Sequence, residues 1–151
     1  MGYCTDQEVL GMIKTDMLDV IIGNEYIEDE SEREATIHEL TEQAIVDADA
    51  EIDGYLAKRY HVPFRQTPQI INKLSKDIAV YNLVSRSGID ETEREKTFLN
   101  RYNAAIRYLE SVAKGVVDIG TSENSSQESA ANGFRMHSSR RLFSRESMKG
   151  W

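Results

Sequence analysis

The sequence predicts an all-α protein: an antiparallel helical bundle with three main helices, small N-terminal helices and an extended C-terminal arm. Three observations carry this. Apolar residues recur at three- and four-residue spacing through three long segments that contain no internal proline, the pattern of one buried helical face. Helix-start signals stand before several of these segments, and Gly23, Pro63, Pro68, Gly88 and Gly115 punctuate the joints between them. Beyond Gly120 the apolar periodicity gives way to a stretch rich in serine.

Taken in order, Thr5-Asp6-Gln7-Glu8 is a capping box that opens a short helix bearing Val9, Leu10, Met12 and Ile13. Thr15-Asp16 is placed to cap a second helix, Met17 to Ile22, stopped by Gly23. The acidic run Glu25 to Glu34 reads as a loop that turns helical at Ser31-Glu32-Arg33-Glu34, a second capping box. From there to about Arg59 the residues Ile37, Leu40, Ala44, Ala48, Ile52, Tyr55 and Leu56 share one face, on a helix about 40 Å long. His61 to Thr67 forms a loop bracketed by two prolines, each of which disfavours helix in the residue before it.

Pro68 suits the first turn of the next helix, which runs to about Ser85 with Ile71, Leu74, Ile78 and Tyr81 on one stripe. A turn around Gly88 leads to the last helix, roughly Glu91 to Lys114, with Phe98, Tyr102, Ala105, Ile106, Leu109 and Val112 facing inward and Gly115 ending it. Val116 to Ile119 reads as an extended piece, either a β-strand or a strap. Two units follow: a helical domain over 1–120 and a tail over 121–151.

The tail holds eight serines and too little apolar side chain to offset the roughly 1–2 kcal/mol per residue that ordering a backbone costs. A neighbouring chain is the simplest agent to order it, which makes it a docking arm; folding back on its own domain is the alternative. Charge is divided between the two units. Net charge is −8, but residues 1–120 hold 13 Lys and Arg against 23 Asp and Glu, whereas residues 121–151 hold 5 against 3. An acidic body lacks the basic patch by which DNA-binding modules grip phosphate, although DNA can slide past it. The lone Cys4 excludes an intrachain disulfide and fits a reducing cytoplasm. With no membrane-length apolar run and no signal-peptide pattern at its start, a soluble cytosolic chain is expected.

Signals for chemistry are sparse. Asp47-Ala48-Asp49-Ala50-Glu51-Ile52-Asp53-Gly54 places carboxylates at alternate positions like a calcium loop. Ile52 and Lys58, however, stand where such a loop needs glycine and glutamate, and the stretch lies within an apolar-periodic helix. His38, His61 and His137 share no metal-ligand spacing with Cys4 or one another. Cys4 has no basic neighbour to lower its pKa and reads as packed. No phosphate loop or nucleophile elbow is present. No catalytic residue, cofactor or metal is therefore expected, and the chain is read as non-enzymatic.

Three segments carry a resemblance. They are Ala50-Glu51-Ile52-Asp53-Gly54-Tyr55-Leu56-Ala57-Lys58-Arg59-Tyr60 with Pro63 after it, Asp77-Ile78-Ala79-Val80-Tyr81-Asn82-Leu83, and Arg101-Tyr102-Asn103-Ala104-Ala105-Ile106 leading through Tyr108 to Gly115. In this order and spacing they resemble the Mu-type bacteriophage neck-protein family, which is similar to the head-tail adaptors, or connectors, of tailed phages and phage tail-like particles. The ending Phe143-Ser144-Arg145-Glu146-Ser147-Met148-Lys149-Gly150-Trp151 is similar to the basic, aromatic ending of that family.

The resemblance implies a virion structural protein at the neck, assembled from the host cytoplasm. It would form a homo-oligomeric ring, usually twelvefold, beneath the portal and extend the DNA channel towards the tail. Its partners would be the portal protein, neighbouring adaptor subunits and a stopper or tail-completion protein, with DNA passing through without sequence-specific binding and no membrane involved. The portal contact is expected at Arg140, Arg141, Phe143, Arg145, Met148 and Trp151, and the loop around Pro63 or Glu25 to Glu34 is expected to face the next neck component. Rival readings are a stopper or tail-completion protein of the same virion, a small helix-turn-helix regulator, which the acidic body disfavours, and an enzyme, which lacks its constellation.

Overall fold

The computed structural model describes residues 2–22, 29–86 and 93–120, and the side chains of 96–120 within the last of these. Five helices occupy them: α1 (Asp6–Leu10), α2 (Thr15–Ile21), α3 (Glu30–Leu56), α4 (Gln69–Ser85) and α5 (Glu93–Ala113). The three long ones pack together as the expected all-α bundle, and no strand occurs among the described residues.

Caps set the boundaries. The Thr5 amide donates to Glu8 Oε2 at 3.0 Å, the side-chain half of the predicted capping box. At α2 the sequence expectation is corrected: Lys14 is the N-cap, so Thr15 and Asp16 lie in the first turn instead of before it. At α3 the cap is Asp29, not Ser31, because the Asp29 carboxylate accepts from the Ser31 amide at 3.0 Å and the Ser31 hydroxyl at 2.9 Å. A charged acceptor at the helix N-terminus outcompetes a hydroxyl there. Pro68 is likewise the N-cap of α4. Gly23, the Glu25–Glu28 part of the acidic run and the turn at Gly88 lie outside the described residues.

Long α3 does not organise the core by itself. The shorter α4 touches each of α1, α2, α3 and α5, and buries residues on nearly every side: Ile71, Leu74, Ile78, Ala79, Val80, Leu83 and Val84. From α3 come Ala44, Ile45, Ala48, Ile52 and Leu56, and from α5 Phe98, Ala105, Leu109 and Val112. Tyr3, Val9 and Ile13 close one end of this core.

Gly115 ends α5 in a left-handed conformation (φ 80°). The Val116 amide donates to Ser111 O at 2.9 Å and the Gly115 amide to Val112 O at 3.0 Å, the paired bonds of a Schellman cap. After it, Val116–Ile119 is a strap, not a strand. Arg59 Nη1 donates to Val112 O at 2.6 Å and Val117 O at 3.3 Å, and the Ile119 amide donates to the Tyr60 hydroxyl at 3.2 Å. The end of α3 therefore holds the chain as it leaves α5.

Candidate functional site

The six residues that sequence reasoning assigns to a partner contact, Arg140, Arg141, Phe143, Arg145, Met148 and Trp151, all lie outside the described residues, as does the whole tail over 121–151. What the described residues present is a set of polar clusters and outward faces on the bundle.

The first cluster pins the N-terminal segment to α3 and α4. Asp49 Oδ2 accepts from the Tyr3 amide at 2.8 Å, and its Oδ1 accepts from the buried Ser75 hydroxyl at 2.8 Å. The Tyr3 hydroxyl donates to Asp53 Oδ1 and receives the Phe64 amide at 3.3 Å. Burial and the bond to Asp53 push the Tyr3 phenol above its usual range, and burial raises the Asp49 carboxyl. Cys4 is buried beside Ser75, whose hydroxyl lies 3.2 Å from its sulfur, and burial pushes the thiol up to about 11. A thiol so placed stays protonated near neutral pH and serves as packing.

Glu8 joins this cluster to α4. Its carboxylate receives Asn72 Nδ2 at 3.2 and 3.3 Å and Lys76 Nζ at 3.2 Å. The bond from the Thr5 amide, with the Asn72 and Lys76 donors, lowers its pKa to about 2.

A second cluster ties α4 to α5. Asp77 is 3 % exposed, with Lys73 Nζ 2.8 Å from Oδ2 and Arg101 Nη2 2.6 Å from Oδ1. The Arg101 contact is an ion pair set off the hydrogen-bond axis. Nearby, Tyr81 and Tyr102 stack at 4.3 Å between centroids, and the Tyr102 hydroxyl donates to Glu51 Oε1 at 3.1 Å. Burial and the Glu51 charge raise that phenol to about 12.

Sequence reasoning reads the alternate carboxylates of 47–53 as helical, and they are; it misses that Asp49 and Asp53 face the N-terminal segment. Their i,i+4 spacing with Ile45, Ala48 and Ile52 alongside was the available signal. Asp77, inside the apolar stripe of α4, was the other. Among the described residues no three His, Cys, Asp or Glu side chains could together hold a metal ion.

Between α3 and α4 a cleft of about 360 Å³ is lined by Leu40, Gln43, Asp47, Glu51, Asn82 and Arg86. Its walls carry carboxylates, amides, a guanidinium and the Ser85 hydroxyl, which donates to Asn82 O at 3.0 Å. The rest of α3 is an outward acidic face. The helix holds nine carboxylates against the single Arg33, and Glu32, Glu34, Glu39, Glu42 and Asp47 are exposed along it. No helix among the described residues is long and apolar enough to cross a membrane.

A family model described as Bacteriophage Mu, Gp36 matches residues 3–138, most of the chain. The chain belongs to the bacteriophage Mu Gp36 family. Two relatives bracket the match. Mu-like prophage FluMu protein gp36 of Haemophilus influenzae is 31% identical over 110 residues, covering 73% of this chain and 74% of that protein. Gene product J of Escherichia phage Mu is 32% identical over 81 residues, covering 54% of this chain and 53% of its own length. In this Gp36-family chain the matched region takes in all five helices and the clusters that join them.

Proposed function

We propose that this protein is a head-tail adaptor, a non-catalytic virion component that forms a ring, usually twelvefold, beneath the portal and extends the DNA channel towards the tail. The observation that carries the reading is the Gp36-family match across nearly the whole helical body. Two physical features support it. The body is a rigid, well-packed bundle whose polar clusters are spent on holding helices together, as a structural module requires. Its longest helix is acidic along its exposed length, and a negative surface near passing DNA would not retain the phosphate backbone.

In this reading the tail is the portal anchor. Phe143, Met148 and Trp151 supply apolar surface, and Arg140, Arg141 and Arg145 pair with acidic groups on the portal. The test is to mix portal with the full chain or with a chain lacking Gly133 to Trp151, and to follow co-sedimentation with helicity measured in parallel. That deletion removes five basic residues and one acidic one but no helix of the bundle. Helicity should persist, binding should be lost, and binding by the full chain should weaken as salt rises. Full-strength binding by the shortened chain would transfer the interface to the body. If the full chain ignores portal and captures tail protein instead, the role is that of a stopper or tail-completion protein.

A further inference from the structure

We propose that residues 117–120 form a clasp that opens as a unit from the end of the bundle, with Arg59 keeping α5 closed when it does. Such a clasp is independent of the adaptor reading. Little holds the segment. Among the described residues, its hydrogen bonds to the rest of the chain are long: the Val117 amide to Ser111 O at 3.3 Å, Arg59 Nη1 to Val117 O at 3.3 Å and the Ile119 amide to the Tyr60 hydroxyl at 3.2 Å. Val117 and Ile119 are only half-buried, and Asp118 and Gly120 are exposed. The last turns of α5 differ, since Leu109 and Val112 are fully buried. A segment with little burial and long bonds opens at lower free energy than one built on a packed core, because the backbone freedom it regains offsets most of what it loses.

Two features bound the opening. The segment carries an internal tie, the Gly120 amide donating to Asp118 Oδ1 at 2.7 Å, which persists whether or not the segment touches the body. At its other end Gly115 has already turned the chain out of the helix, and Ser111 O keeps the Val116 amide at 2.9 Å when it releases that of Val117. Arg59 shares one nitrogen unequally between two carbonyls, 2.6 Å to Val112 O against 3.3 Å to Val117 O. The shorter bond joins a cation to a carbonyl at a helix C-terminus, where the macrodipole favours positive charge, so it outlasts the longer one. Arg59 is also fixed from the side, with its guanidinium 5.7 Å from the centroid of the Tyr60 ring. Peeling therefore stops at the cap of α5. The residues 117–120, fully extended, add up to roughly 14 Å of reach. A pull on the chain beyond 120 is thus taken up by the clasp before any helix of the bundle unravels.

Amide hydrogen exchange of the full chain, read residue by residue by NMR in rising sub-denaturing urea, tests this. The Val117 and Ile119 amides should exchange through a local opening that hardly responds to urea, and the Leu109 amide through global unfolding with a steep response. The Lys114 and Gly115 amides should be better protected than those of Val117 and Ile119. Tyr60→Phe should speed exchange at Val117 and Ile119 by about two- to tenfold, the range of one hydrogen bond, and leave Lys114 and Gly115 unchanged. Arg59→Ala should bring Lys114 and Gly115 to the rate of the clasp, and Arg59→Lys, which keeps a cation there, should restore them in part. If Val117 and Ile119 share the urea response of Leu109, the segment is not a separate unit and the proposal fails. It fails equally if Tyr60→Phe leaves the clasp unchanged or exposes Lys114 and Gly115, or if Arg59→Ala leaves those two protected. Loss of the far-ultraviolet helical signal in Arg59→Ala would also overturn it, since Arg59 would then support the whole bundle instead of its end.

Discussion

Glu8 shows how one side chain acquires a stability role that depends on pH. Its folded pKa is held down to about 2, below the usual carboxylate value of 4.5, because the Thr5 amide, Asn72 and Lys76 all donate to the ionised form. A depressed carboxyl contributes stability that is fully present above about 4.5 and is lost as pH falls towards 2. The gain is modest, since 38% of the Glu8 side chain is exposed and water screens it. Asp49 has the opposite sign: its pKa is raised by burial, so its ionisation opposes folding as pH rises through the folded value. Thermal melts of wild type and Glu8→Gln should therefore differ at pH 7 and converge between about pH 4.5 and 2, with wild type the more stable at the upper end. Asp49 also has a structural role, since it accepts from the Tyr3 amide and the buried Ser75 hydroxyl. Asp49→Ala should cost about 1–3 kcal/mol by orphaning those donors. Ile52→Ala, at a fully buried site, should cost about 2–5 kcal/mol. Denaturant unfolding should thus rank Ile52→Ala above Asp49→Ala, with exposed Glu39→Ala nearly neutral. Such buried carboxylates were hard to read from sequence because their partners, Tyr3 and Arg101, lie 46 and 24 positions away.

At the scale of elements, the helices were legible because each presents an apolar face too regular to be a strand or loop, and Ile71, Leu74 and Ile78 are buried as their period requires. Boundaries were less legible, because several residues near each end compete to cap it. Asp29 displaced Ser31 by charge, and Lys14 displaced Thr15 with no side-chain bond of its own. The prominence of α4 was not legible from stripe counting. A helix buried on most sides has several apolar faces, and Ala79, Val80 and Val84 belong to no single one. The strap after α5 was ambiguous, since four residues cannot distinguish a strand without knowing what lies beside them. Arg59 and the Tyr60 hydroxyl decide it by taking its carbonyl and amide groups. Gly115→Ala tests how far the Schellman cap sets this exit. A Cβ there would sit 3.6 Å from the Arg59 guanidinium, an ordinary contact, so the cost is the backbone strain of φ 80° alone. About 1–2 kcal/mol should be lost in chemical denaturation, while far-ultraviolet circular dichroism stays that of the wild type.

For the whole molecule, the balance of charge and packing governs assembly. The described body buries its apolar stripes within one bundle, leaving Val20, Val46 and Val116 as its exposed large apolar residues. That is too little to drive a stable portal-free oligomer through the hydrophobic effect, which scales with the apolar area removed from water. The long-range field opposes association as well, because each copy carries a net charge of −8. Copies overcome that repulsion once they are held in register, and a portal that binds several tails at once raises their effective concentration enough to do so. The isolated protein should therefore be monomeric or weakly associated at micromolar concentration and form its ring on the portal. Native mass spectrometry checks this: monomer should dominate without portal, and many copies should be retained per portal when it is added. A stable dodecamer of the isolated chain would mean that the body supplies an interface strong enough to overcome its own charge, and the tail would then attach a finished ring instead of assembling one.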